Sequence, residues 1–196
     1  DTETSVQVVG GANLRKKFKE INTSLYGSGL EEISQNDKLF AETGFRATVA
    51  QMAMEKIDVP NNYSYTRAIH TNLERDGIWN TPEYWKTRSA HPVSKMKISI
   101  EQQIQKGFEK SAKASVTELW EILKKSPFGL LPNTGSVFLL GFLLRDYADT
   151  TYYKSDVNNN TVFLNYNDLS ELIFGAVREL SKAKGQFIVK QTPEQI

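Results

Sequence analysis

Between Ser126 and Ala148 the chain reads SPFGLLPNTGSVFLLGFLLRDYA. A turn punctuated by Pro127, Gly129 and Pro132 leads into a helix-length run that is apolar nearly all round. Val137, Phe138, Leu139, Leu140, Phe142, Leu143 and Leu144 surround most of its cylinder. A helix with one apolar stripe lies on a core; a helix apolar on every side has to be enclosed. The run from Val137 to Leu144 falls well short of the ~18 apolar residues of a membrane span, and Arg145 and Asp146 close it. Other elements of the chain must therefore wrap around this segment.

At 196 residues the chain has room for them. A chain of this size buries roughly 70% of its unfolded surface and needs no staple. There are no cysteines, which excludes disulfides, thiolate zinc sites and a cysteine nucleophile. That fits a reducing compartment, and a cytoplasmic protein is the expectation. The net charge of +1 gives no global field toward nucleic acid or an anionic membrane, so any such contact must come from a local patch. The first residues, DTETSVQVV, carry neither an initiator Met nor a signal-peptide pattern. The expectation is a piece of a longer polypeptide.

The first half reads as helical. After a polar tail with a short strand pattern at Val6–Val9, Asn13 caps a helix with Leu14, Phe18, Ile21 and Leu25 on one face. A second helical block spans about Asn36 to Lys56. A third opens at Ser64 and stops at Asp76-Gly77. Thr81-Pro82-Glu83 reads as a cap with Pro at the first helical position, ahead of Tyr84 and Trp85. The polar stretch Thr87 to Ser94, with Pro92, is the expected domain boundary, giving parts 1–92 and 93–196.

In the second half, Ile100, Ile104 and Phe108 put a helix over about Ile98 to Ser111. Ser115-Val116-Thr117-Glu118 is a capping-box pattern: the Ser oxygen accepts from the Glu118 amide, and the Glu reaches back. Its helix carries Leu119, Trp120, Ile122 and Leu123. The apolar helix follows over about Thr134 to Tyr147. Thr151–Lys154 and Thr161–Leu164 are rich in β-branched and aromatic residues and flank an Asp/Asn-rich loop, a β-hairpin signature. A last helix over about Asn167 to Lys182 and a strand at Gln186–Lys190 complete the reading. The predicted fold is mainly α (α+β): a helical N-terminal part and a winged-helix-like C-terminal part with a small hairpin or sheet.

The segment LWEILKKSPFGLLPNTGSVFLLGFLLRDYA, with the hairpin and LSELIFGAVRELSKAKGQFIVKQTPEQ after it, resembles a part of large bacterial P-loop ATPases. These belong to bacteriophage-exclusion-type antiviral defence systems, and the similar segment lies downstream of their ATPase core. The likeness covers about residues 98–193 and is carried by Pro127, Phe128 and Gly129 between a Leu/Trp helix and an apolar one. It implies a non-catalytic segment of such an ATPase, because no GxxxxGK[ST] is present to cradle phosphates. It transfers no functional residue.

Candidate sites are few. A DNA-reading helix presents Arg, Lys, Asn or Gln to base edges, and the apolar helix offers one cation, Arg145, near its end. The hairpin tip, Asn158-Asn159-Asn160 beside Lys154, could touch phosphate; a solvated turn is the plainer reading. Arg15, Lys16, Lys17 and Lys19 form the least compensated basic run. Together with Lys154, Asn158 and Asn159 they are the candidate nucleic-acid residues. Lys95, Lys97, Lys106, Lys110, Lys113, Lys124 and Lys125 interleave with Glu101, Glu109, Glu118 and Glu121 and read as a solvated helix face. The aromatic stretches Asn61–Tyr65 and Trp79–Trp85 read as loop anchors. His70 and His91, the only histidines, lack the spacing of a helical metal pair, and no nucleophile-elbow pattern occurs.

No catalytic residue, metal ligand or cofactor site is therefore expected. The expectation is an assembly or positioning module in a larger bacterial, nucleic-acid-associated ATPase, contacting other parts of its parent or a protein partner and no membrane. The alternatives are a direct, mostly non-specific DNA binder and an enzyme with no recognisable motif.

Overall fold

A computed structural model of the chain describes residues 46–56, 64–156, 158 and 160–190. The expected strand at Val6–Val9, the Asn13 helix and the first part of the Asn36–Lys56 block lie outside the described residues. The described chain is mainly α with one small sheet. Its elements are α1 (Arg46–Glu55), α2 (Ser64–Arg75), α3 (Tyr84–Thr87), α4 (Pro92–Ser111), β1 (Lys113–Ser115), α5 (Val116–Lys124), α6 (Thr134–Leu144), β2 (Tyr153–Ser155), β3 (Thr161–Phe163), α7 (Tyr166–Val177) and β4 (Phe187–Val189). Short 3-10 turns at Arg145–Tyr147 and Ser181–Gly185 follow α6 and α7.

The enclosed helix is α6. All eleven of its residues are buried. Asn133 starts it, its side chain accepting from the Ser136 amide at 2.9 Å. α1, α2, α4 and α7 pack around it. The crossing with α1 is the tightest, because Gly141 lets the Ala50 backbone approach: a Cβ at Gly141 would sit 2.6 Å from the Ala50 carbonyl oxygen. Each Leu or Phe taken fully from water here contributes about 1.5–3 kcal/mol. The buried core runs without a break from Val49 and Ala53 of α1, through Ile69 and Leu73 of α2, to Ile100, Leu119, Trp120, Leu169 and Ile173. It is continuous across residue 92.

Helix α4 begins six residues before the expected start at Ile98. Pro92 is no break; it occupies the first helical turn, where its missing N–H costs nothing. His91 caps the helix through Nδ1, which accepts from the Val93 amide at 3.2 Å. The earlier start has a consequence for Lys97. It falls on the inner face with Val93, Ile100 and Ile104 and is buried, so the expected solvated lysine face does not include it. α3 also departs from expectation: Glu83, with φ 48°, precedes Tyr84–Thr87 and makes no side-chain cap.

The expected last helix is cut short at Val177. Glu179 adopts φ 56°, its amide bonds the Ala176 carbonyl at 3.0 Å, and the Leu180 amide bonds Gly175 at 2.9 Å. This is a Schellman stop, with Glu at the position that Gly usually fills.

The helix–helix–turn–helix–hairpin order is present in α4, α5, α6 and β2–β3. The sheet adds to it. β1, unmarked by any sequence signal, pairs with β4; β4 pairs with β2, and β2 with β3, all antiparallel. The register is Lys113↔Val189, Tyr153↔Val189 and Tyr153↔Phe163. The last strand therefore enters between β1 and the hairpin.

Candidate functional site

In a helix-turn-helix reader, the second helix of the turn motif lies in the major groove. Here that helix is α6, and none of its residues is accessible. Arg145, the cation at its end, is committed elsewhere: Nη1 donates to the Trp79 carbonyl at 3.0 Å, and the guanidinium lies 4.5 Å from the Phe142 ring centroid. The aromatic loop before α3 serves the same core. Trp79 stacks on Phe138 and Phe142 at 5.8 and 5.3 Å, and Tyr84 packs on Phe142 at 5.3 Å.

The hairpin tip is closed on itself. Asp156 accepts from the amides of Asn158 and Asn160 at 2.8 and 3.1 Å and from Asn160 Nδ2 at 3.2 Å. The Asn160 side chain, aided by these amides, holds the carboxyl of Asp156 below the ordinary carboxylate range. The tip thus presents an anion. Lys154 is committed to Asp168 of α7 at 2.6 Å. Asn159 and the run of Arg15, Lys16, Lys17 and Lys19 lie outside the described residues, as does most of Asn61–Tyr65. Of the candidate nucleic-acid residues, Lys154 and Asn158 are placed, the first bonded to Asp168 and the second to Asp156.

A polar cluster that sequence reasoning missed joins α4 to the end of α6. Lys97 Nζ donates to the Leu143 carbonyl at 2.8 Å, pairs with Glu101 at 2.8 Å and lies 3.6 Å from Asp146. It also sits 4.9 Å from the Trp85 ring centroid. Tyr147 donates to the other Glu101 oxygen at 2.6 Å. Burial first, and then the Glu101 hydrogen bond, push the Tyr147 phenol far above its ordinary pKa; burial alone does most of this for Tyr84. The cluster fastens a cation to the carbonyl end of α6, where the helix dipole favours it. The available signal was the i, i+4 spacing of Lys97 and Glu101 in phase with Val93, Ile100 and Ile104. Beside the cluster runs an open groove of about 670 Å³, bordered by Trp85, Ile98, Glu101, Gln102 and Gln105.

His91 and Asp76 meet at 2.9 Å through Nε2. Both ring nitrogens of His91 are then in use, one on Asp76 and one on the Val93 amide. Among the described residues no group of three or more His, Asp and Glu could hold a metal ion. No described helix is long and apolar enough to cross a membrane.

Neither a family model, nor a curated protein, nor a solved structure matches this chain.

Proposed function

We propose that this chain is a non-catalytic assembly and positioning module serving a larger bacterial, nucleic-acid-associated ATPase. The observation that carries the reading is the enclosure of α6. The helix in the reading position is spent on the core, so the fold acts as a scaffold. The cations that would serve chemistry or phosphate, Lys97, Arg145 and Lys154, are each tied to a partner within the fold. What remains for a partner includes the groove beside α4, where Ile98 is 36% exposed next to Trp85. An aromatic and an aliphatic anchor inside a polar rim is the makeup of a protein-binding hot spot. The bacterial defence setting rests on the resemblance of residues 98–193, and the cytoplasmic setting on the absence of cysteines.

The test is co-expression with the ATPase core of a large bacterial P-loop ATPase of the bacteriophage-exclusion type, followed by size-exclusion chromatography with light scattering. Co-elution that Ile98→Lys abolishes, at unchanged melting temperature, is the expected result. Tight binding of one duplex sequence with no ATPase association would overturn the reading in favour of a DNA reader.

A further inference from the structure

His91 ties two helices together through its two ring nitrogens. It stands where the loop after α3 enters α4, with its side chain 13% exposed. Nδ1 accepts from the Val93 amide at 3.2 Å, and Nε2 meets Asp76 Oδ2, just past the end of α2, at 2.9 Å. A backbone N–H only donates, so Nδ1 must present a lone pair to it. The one proton of the neutral ring is then on Nε2, where the Asp76 carboxylate accepts it. Between them the two bonds leave a single tautomer.

A second proton has one place to go. It lands on Nδ1, and two N–H groups then face each other across the 3.2 Å that the cap had spanned. The cap of a 20-residue helix is lost with its acceptor. A positive charge also arrives at the start of α4, where the helix dipole opposes it. The bond from Nε2 to Asp76 is untouched, because that nitrogen carries a proton in both forms. Among the described residues, the charged groups around the ring are Asp76 and Arg75 from the end of α2, Arg88 from the loop and Lys95 one turn into α4. Asp76 is the anion of the set, so it is the partner that a charged ring keeps. Solvent has a way in, through an open cleft of about 540 Å³ bordered by Asp76, Arg88, Ser89 and His91.

We infer that His91 is a proton-operated helix cap. Neutral, it closes the first turn of α4 and holds Asp76; protonated, it stays on Asp76 and releases the Val93 amide. Histidine is the side chain whose charge ordinarily changes between about pH 5 and 8, so the device works between neutral and mildly acid conditions. The released turn joins α3, which carries Trp85, to the stretch of α4 that carries Ile98. The proton thus acts on the connection between the two apolar walls of the groove. The switch itself does not rest on the module reading, and its test needs no partner.

The experiment is NMR on the full chain. A long-range correlation between ring protons and ring nitrogens at about pH 7.5 should show the His91 proton on Nε2. Hydrogen exchange of the Val93 amide, expressed as protection relative to the unstructured chain, is then compared at about pH 7.5 and about pH 5. Protection should fall about fivefold or more with acid, the size of a lost N-cap. The amides of Ile100 and Ile104, deeper in α4, should keep theirs. His91→Asn replaces the ring nitrogen by a cap oxygen that does not titrate, so its Val93 protection should be equal at the two pH values. Four outcomes overturn the inference: a proton on Nδ1 at neutral pH, Val93 protection unmoved by acid, an equal acid loss in His91→Asn, or a parallel loss at Ile100 and Ile104, which is unfolding of the whole helix. The tautomer and the wild-type comparison require no variant, so they decide the matter even where His91→Asn does not fold.

Discussion

At the scale of single residues, position in the packing decides what a side chain costs to change. Leu140 is fully buried in α6. Leu140→Asp places a carboxylate where it loses its hydration without a partner, and should destabilise by several kcal/mol or prevent folding; urea denaturation reads this directly. Gly141→Ala tests the α1–α6 crossing. Alanine favours a helix over glycine by about 1 kcal/mol, but its Cβ would press on the carbonyl and Cα of Ala50, 2.6 and 2.8 Å away. Backbone atoms cannot rotate aside, so a net loss of about 1–3 kcal/mol is expected. A melting temperature at or above wild type would show that the two helices slide apart freely. Glu179 makes the opposite case. Its left-handed conformation costs roughly 1 kcal/mol, and its contact with the half-exposed Lys124 returns about 0–1 kcal/mol. Glu179→Gly should therefore be at least as stable as wild type, and Glu179→Val clearly less.

At the scale of elements, the helix ends account for most differences between expectation and structure. Gly77 with φ 70° ends α2 by the same Schellman pattern that Glu179 makes after α7, and Ala112 with φ 60° ends α4. The glycine was legible; Ala and Glu in that conformation are imposed by packing. The capping box at Ser115 forms by half. The Ser hydroxyl accepts from the Glu118 amide at 3.4 Å, but the Glu118 carboxylate accepts from Gln103 of α4 at 3.2 Å. The buried Asn133 cap matters more: Asn133→Ala should cost about 1–2 kcal/mol by leaving the Ser136 amide unpaired. The α2–α4 junction gives a pH dependence. Burial opposes ionisation of Asp76, but hydrogen bonds from His91 and Arg75 outweigh it and hold its pKa below the ordinary value. A carboxyl so depressed adds stability above its unfolded pKa of about 3.9, and that stability drains as pH falls through the folded value. Asp76→Asn should flatten the stability–pH curve below about pH 4, as urea denaturation at a series of pH values would read. At the alkaline end the sign reverses. The raised phenols of Tyr84 and Tyr147 should stay silent at 295 nm until the chain unfolds above about pH 10.

At the scale of the whole molecule, α6 makes the two halves of the described chain interdependent. With α1 and α2 removed, its apolar surface loses two of the helices around it. The piece 93–196 alone should therefore lack cooperative unfolding and near-ultraviolet dichroism; a sharp two-state melt would show that it folds on its own. Toward duplex DNA the molecule should bind weakly and without sequence preference, since α6 presents no base-reading group. Neutralising Arg15, Lys16, Lys17 and Lys19 should remove most of that binding and flatten its salt dependence in a gel-shift titration at two salt concentrations. Tight binding to one duplex, insensitive to those changes, would contradict this.

The amino-acid sequence alone was enough for the enclosed helix, the hairpin, the starts of α2, α5 and α6 and the mainly helical class. Each rests on local chemistry: an all-round apolar surface, Asn/Asp loop residues, Ser64 and Ser115 at helix starts. Tertiary structure decided what depends on distant partners. Lys113–Ser115 is a strand because Phe187–Val189 lies beside it, and Lys97 is buried because α4 starts at Pro92 and meets the carbonyl end of α6. The row Lys113–Val189–Tyr153–Phe163 exists only in the register of strands brought together from three regions of the chain. Pairing across such separations carries no local signature, since three-residue strands gain their stability from neighbours and not from their own propensity.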